Sequence, residues 1–221
     1  MQEFIKLTGM VLKTVPIGEY DRRVVLLTKE RGKVSAFAKG ARKPGSRFSA
    51  AASPFSFGEF KLYEGRSSYN IMEADISNYF EGLREDYEGA CYGMYFLDVM
   101  DYYTRENNDE VQMLKLLYQS LRALQLPSLP DELVRYVFEI KALVLNGEYP
   151  GLPEGRQYLE STVYAANYIA GSPVEKLYTF TVTQEVLAEL KGIAGGLRKR
   201  FVDREFKSLG VLEGMVGGGF V

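Results

Sequence analysis

Four cations, Lys39, Arg42, Lys43 and Arg47, fall within nine residues of the segment KGARKPGSRFS (39–49), which contains no acid. Arginine grips a phosphate through two parallel hydrogen bonds, and lysine adds a compact point charge. Gly40 and Gly45 admit positive φ and Pro44 stops helix propagation, so the cations project from an irregular segment. From Arg31 to Gly58 there are six basic residues and no acid. Residues 1–80 carry a net charge of +5 and the remainder −7, within a chain of net −2. Such asymmetry fits two modules, one of which meets a polyanion. A solvated basic loop is the other reading of the same residues.

Several chemistries are excluded by composition. The 221 residues include no histidine and one cysteine, Cys91. A zinc site of the Cys/His type, a Ser-His-Asp triad and a Cys-His nucleophile cannot be built. The loop lacks the G-x-x-x-x-G-K-[ST] order of a Walker phosphate loop. The acids of REDYEG and NNDEV read as helix-start residues rather than metal ligands, since metal carboxylates must converge from separate elements. Cys91 sits in an apolar helical stretch and reads as core; a single cysteine fits a reducing cytoplasm. No apolar run reaches the ~20 residues of a membrane helix, and MQEFIKLTGM predicts no secretion signal.

The elements that must hold these cations follow from periodicity. GMVLKTV alternates, with Met10, Leu12 and Thr14 on one face and Val11, Lys13 and Val15 on the other. PIGEYD breaks this run. RRVVLLT, VSAFAK, FSFGEFKLYEG and SYNIMEADI supply four more strands, and the basic segment interrupts between the third and fourth. Five strands joined by turns predict a small antiparallel barrel. With Val34, Ala36 and Ala38 turned inward, Phe37 and Lys39 share the outer face; with Phe60 and Leu62 inward, Lys61 and Tyr63 do the same. Charge beside aromatic platforms is what a barrel binding a single strand needs. Phe37 and Tyr63 are equally readable as core residues.

From about residue 80 the period becomes 3.6. VQMLKLLYQSLRAL predicts a helix with Asn107 and Glu110 as a capping box. LVRYVFEIKALVL carries a stripe of Leu133, Val137, Ile140 and Val144, and ACYGMYFLDVM reads as the central buried helix. EVLAELKGIAGGLRKRF keeps Val186, Leu190, Ile193, Leu197 and Phe201 on one stripe, with Arg198, Lys199 and Arg200 suited to a helix C-terminus. Residues 147–180 are less regular. The expectation is an α+β chain, with a barrel over 1–79 and a helical domain over 80–221.

The segment TGMVLKTVPIGEYDRRVVLLTKERGKVSAFAKGARKPGSRF resembles the N-terminus of the bacterial RecO family of DNA repair and recombination mediators. The resemblance is carried by Gly9, Gly18, Glu19, Asp21, Gly32, Lys33, Lys39 to Arg42, Ser46 and Arg47. SPFSFGEFKLYEGRSSYNIMEADI, YVFEIKALVLNGEYPGL and REFKSLGVLEGM resemble later parts of the same family, in order. It implies an OB-fold barrel followed by helices, and a non-enzymatic, cofactor-free protein that is cytoplasmic and nucleoid-associated. It implies binding and annealing of single- and double-stranded DNA, and action with RecR to load RecA onto DNA coated with single-stranded DNA-binding protein. Contact with the acidic tail of that protein and a functional link to RecF follow as well. An adaptor of the repair machinery with little DNA affinity is the alternative. Lys39, Arg42, Lys43 and Arg47 are the matching DNA-binding positions, with Lys33 beside them; Phe37, Lys61 and Tyr63 come from the strand faces instead. The chain departs from many family members in one respect. No cysteine follows GEYPGLPEGRQYL, so the four-cysteine zinc module is missing. Packing by Tyr158, Tyr164, Tyr168, Tyr178 and Phe180 is the expected substitute.

Overall fold

A computed structural model of the chain describes residues 4–65 and 68–217. It contains two compact units, Met1–Arg84 with Leu97–Leu114, and Glu85–Phe96 with Lys115–Val221. In the first, β1 (Phe4–Ile17), β2 (Asp21–Thr28), β3 (Gly32–Ala38), β4 (Phe57–Glu64) and β5 (Tyr69–Asn78) close into a barrel of order β1-β2-β3-β5-β4. All pairings are antiparallel except β3 with β5. This is an OB-fold, and the chain is α+β, its barrel followed by helices.

The barrel forms because alternate residues of each strand are apolar and can face one interior. Leu7, Val11, Val24, Leu26, Val34, Ala36, Ala38, Phe60, Leu62 and Ile71 fill it. Helix α1 (Phe48–Ala51) closes one opening, with Phe48 and the following Ala52 joining that core. The strict alternation expected for β1 fails at its middle. The register shifts between Val11 and Lys13, so Met10, Val11 and Leu12 are all buried in succession. A bulge adds one unpaired residue and re-aims everything after it.

The β2–β3 turn is clasped within the same unit. Gly32 pairs with Glu106, the Lys33 amide donates to the Arg105 carbonyl (3.0 Å), and the Asn107 amide donates to the Arg31 carbonyl (3.0 Å). Arg31 reaches Glu64 (3.0 Å) and the Tyr69 hydroxyl (2.8 Å). Asn107 adopts a left-handed φ of 62° and starts no helix. The expected capping box is therefore absent. Helix α4 begins at Val111, whose amide takes the Asp109 carboxylate, while the Glu110 carboxylate accepts from the Arg105 amide.

The remaining helices are α2 (Glu81–Glu85), α3 (Tyr87–Tyr103), α4 (Val111–Ala123), α5 (Asp131–Leu145), α6 (Glu160–Gly171), α7 (Gln184–Phe201) and α8 (Lys207–Gly217); the second unit holds α5 to α8 with residues 87–96 of α3 and 115–123 of α4. The helix buried all round is α5, not the ACYGMYFLDVM helix α3. Every residue of α5 from Leu133 to Leu143 is buried, polar ones included, whereas Met94 of α3 is exposed and Cys91 half-buried. Sequence polarity hid this, because Arg135, Glu139 and Lys141 find their partners inside the unit. Arg135 Nε pairs with Glu139 (3.0 Å) and its Nη2 with Glu213 of α8 (2.9 Å). The Tyr95 hydroxyl donates to Glu139 (2.7 Å). Burial opposes the Arg135 charge, but Glu139 and Glu213 outweigh it and keep its pKa above the ordinary value. Lys141 donates to the carbonyls of Ala170 and Ser172 at the end of α6, where a cation suits the helix dipole.

Residues 147–180 are more regular than their sequence suggests, since α6 lies within them. Their buried core is aliphatic: Ala165, Ala166, Ile169, Val174 and Leu177. The five aromatics expected to replace a zinc module divide. Tyr168 packs edge-on to Phe180 and the Tyr178 hydroxyl meets Ser120, but Tyr164 is 72% exposed and Tyr158 pairs with Arg156 on the surface. Among the described residues, no group of His, Cys, Asp and Glu converges as a metal site. No helix of the described residues is long and apolar enough to cross a membrane.

Two stability measurements follow. Gly32 and Gly45 share φ values of 62° and 70°, but a Cβ at Gly32 would lie 2.3 Å from the Arg105 carbonyl oxygen and one at Gly45 would meet nothing. In denaturant titrations Gly45→Ala costs about 1 kcal/mol and Gly32→Ala roughly 2–4 kcal/mol. Arg135→Met leaves Glu139 buried and uncompensated and costs about 3–5 kcal/mol; adding Glu139→Leu recovers most of that loss.

Candidate nucleic-acid interface

The basic loop does not hang free. Its start is folded onto the β1–β2 turn by three hydrogen bonds. The Gly40 amide donates to Asp21 Oδ1 (2.7 Å), the Arg42 amide to the Tyr20 carbonyl (2.9 Å), and Arg42 Nη1 to the Gly18 carbonyl (3.2 Å). Lys43 lies over the Tyr20 ring, 5.3 Å from its centroid. Lys39 is exposed just past the end of β3. Arg47 turns the other way, donating to the Met72 carbonyl of β5 (2.8 Å) and lying over the Phe48 ring. The four cations therefore form a group of three at the β1–β2 turn and one separate arginine near β5.

Strand register fixes the neighbours of this loop. One row of cross-strand partners runs Val15–Arg23–Phe37–Asn70–Tyr63–Phe4. Phe37 and Tyr63 both face outward and are half-buried, with Asn70 between them. Neither belongs to the barrel core. Tyr63 packs on Phe4, ring centroids 6.1 Å apart.

Charge divides the outer surface in two. On β4, β5 and the first half of β1 the cations are matched: Lys6 with Glu59 (2.7 Å) and Lys61 with Glu73 (3.1 Å). The neighbouring carboxylate holds the Lys6 pKa above its ordinary value. Lys13, Val15, Arg23, Val25, Ser35 and Phe37 face outward on β1, β2 and β3 with no acid among them; Asp21, on the same face of β2, is held by the Gly40 amide. Among the described residues, no carboxylate lies within ion-pair distance of Lys13, Arg23, Lys39, Arg42, Lys43 or Arg47. Lys33 is different: it is three-quarters buried and paired with Asp101 at 3.0 Å. The structure thus brings Phe37, Lys39, Arg42 and Lys43 to one side of the barrel. It leaves Lys61 and Lys33 with compensated charge. Arg23, Lys13 and Tyr20 join the loop residues there. Sequence reading missed them because Arg23 and Lys13 are ordinary strand residues until pairing places them, and Tyr20 sits in what reads as a turn.

Comparison with known proteins agrees with this architecture. Residues 1–80 match the family model "Recombination protein O N terminal", and residues 84–155 match "Recombination protein O C terminal". The chain belongs to the RecO family. A protein named "DNA repair protein RecO" from Acetivibrio thermocellus is 28% identical over 239 residues, covering 93% of this chain and 95% of that one. RecO proteins of the same name from Alkaliphilus metalliredigens and Exiguobacterium sp. are 34% and 37% identical over 148 and 150 residues. Those two alignments span 60% and 59% of the relatives' own length. The N-terminal RecO match contains β1 to β5 and hence the whole basic face, while α6, α7 and α8 lie beyond both matched ranges.

The loop's posture is open to direct test. Asp21→Ala removes the acceptor of the Gly40 amide and frees the loop, so limited trypsin cleavage after Lys39 or Arg42 accelerates several-fold. Asp21→Asn keeps an acceptor oxygen and leaves cleavage close to the parent rate.

Proposed function

We propose that the chain is a non-enzymatic DNA repair and recombination mediator that binds DNA through the basic-loop side of its barrel. Lys39, Arg42 and Lys43, with Arg23 on the adjoining strand, hold phosphates; Phe37 offers an aromatic surface beside them. The observation that carries this reading is the grouping of these cations, unpaired by any described carboxylate, on a loop fixed to a rigid barrel. Family membership supplies the biological setting. Binding of single and double strands, strand annealing, and cooperation with RecR in loading RecA onto DNA coated with single-stranded DNA-binding protein belong to this proposal, as do the link to RecF and a nucleoid-associated, cytoplasmic location. In the helical unit, a groove of about 900 Å3 between α6 and residues 179–186, lined by Tyr164, Tyr168, Phe180 and Val186, is a surface available for protein partners.

The second reading, an adaptor with little DNA affinity, is favoured by one observation. Arg42 and Arg47 each spend a guanidinium nitrogen on a backbone carbonyl, and Lys33 and Lys61 are ion-paired. Fluorescence anisotropy with a labelled single strand separates the two. Neutralising about four phosphates gives a log–log salt slope near −3, a loss of about 50-fold over a fourfold rise in salt. The triple variant K39A/R42A/K43A flattens the slope to about −1, whereas Lys33→Met leaves it unchanged. Parent-like binding by the triple variant would remove the loop from the interface, and absent binding by the parent would leave the adaptor.

A further inference from the structure

We infer that Tyr20 is a stacking platform for an unpaired base, and that it gives this interface a preference for single-stranded DNA. This rests on the DNA-binding reading above and assigns a role to a residue outside the basic loop.

Tyr20 is 43% exposed, although a tyrosine placed against a barrel can usually bury its ring. Its backbone is nonetheless fixed. The Arg42 amide holds its carbonyl and the Gly40 amide holds the carboxylate of the next residue, Asp21, while Glu19 near the hydroxyl raises the phenol's pKa. A fixed aromatic loses little conformational freedom when a ligand arrives. The occupant of the ring face in the free protein is the Lys43 ammonium, 5.3 Å from the centroid. That contact shows one face reachable from the loop side. An ammonium drawn away to a phosphate leaves this face to a base, and the base–aromatic contact replaces the cation–π contact. Glu19 at the hydroxyl edge disfavours a phosphate there, while Arg42 and Lys43 draw phosphates toward the loop. The sugar-phosphate chain is thereby placed on the loop side and the base over the ring. Bases stacked in a duplex have no free face to offer, so the platform acts on unpaired nucleotides.

The test compares Tyr20→Ala and Tyr20→Phe with the parent on a labelled 15-nucleotide oligo-dT and on a 15-base-pair duplex. Tyr20→Ala weakens oligo-dT binding by about 5- to 100-fold, leaves the duplex within about twofold, and keeps the salt slope. Tyr20→Phe keeps the ring and binds as the parent does. The inference is overturned if Tyr20→Ala binds oligo-dT normally, if both nucleic acids weaken equally, or if the slope flattens, which would mean that Tyr20 only positions Lys43 and Arg42. A parent that binds neither nucleic acid overturns the DNA-binding proposal itself, and this inference with it.

Discussion

The hydrogen bond from the Gly40 amide to the Asp21 carboxylate is the contact on which the arrangement of the basic face depends. Parallel pairing of β3 with β5 means that β4 cannot follow β3 through a tight hairpin. The chain must instead cross over between Ala38 and Phe57, and α1 fills the barrel opening on the way. A crossover rich in cations would splay under its own repulsion. Asp21 meets it at Gly40, and the carbonyls of Gly18 and Tyr20 meet it again at Arg42. Three cations are thereby presented in one place, and among the described residues no carboxylate forms an ion pair with them.

The same barrel shows what compensation looks like. Lys6, Lys61 and Lys33 each have a carboxylate partner at 2.7 to 3.1 Å. The two more exposed pairs, Lys6–Glu59 and Lys61–Glu73, contribute little to stability. Their consequence is electrostatic. The three pairs balance cations of β1, β3 and β4 and leave Lys13, Arg23 and the loop cations without an ion-paired carboxylate among the described residues. On the proposed reading, a polyanion is steered to that side. Inside the helical unit the logic reverses. Arg135 is buried on α5, where an unpaired charge would be costly, and Glu139 and Glu213 both reach it.

Much of this was legible in the sequence, for identifiable reasons. Alternation in VSAFAK and FSFGEFKLYEG set Phe37 and Tyr63 outward, and the structure agrees because β3 pairs with β2 in one register and the extra residues of the β4–β5 pairing, Met72 and Ser77, lie on β5. The bulge in β1 was not legible, since an extra residue leaves no mark in a run of apolar side chains. The Asn107 and Glu110 spacing looked like a cap. A tertiary contact with the β2–β3 turn put Asn107 into a left-handed conformation instead. Helix α5 looked amphipathic because partners for its polar residues come from Tyr95, Ala170, Ser172 and Glu213, all remote in sequence. Within the interface the loop cations were visible as a cluster. Arg23, Lys13 and Tyr20 were not, because only strand register and loop folding bring them beside it. Lys33 and Lys61 were included on position alone; carboxylates contributed by other elements balance them.

The central claim is that nucleic acid lies on the β2–β3 side of the barrel, across the loop. Hydrogen exchange with and without a saturating single strand tests it most directly. Backbone amides of residues 20–23 and 39–43 become protected on binding, and those of β4 and the outer edge of β5, residues 59–63 and 71–75, do not. Protection confined to β4 and β5, or to the helical unit, would contradict it.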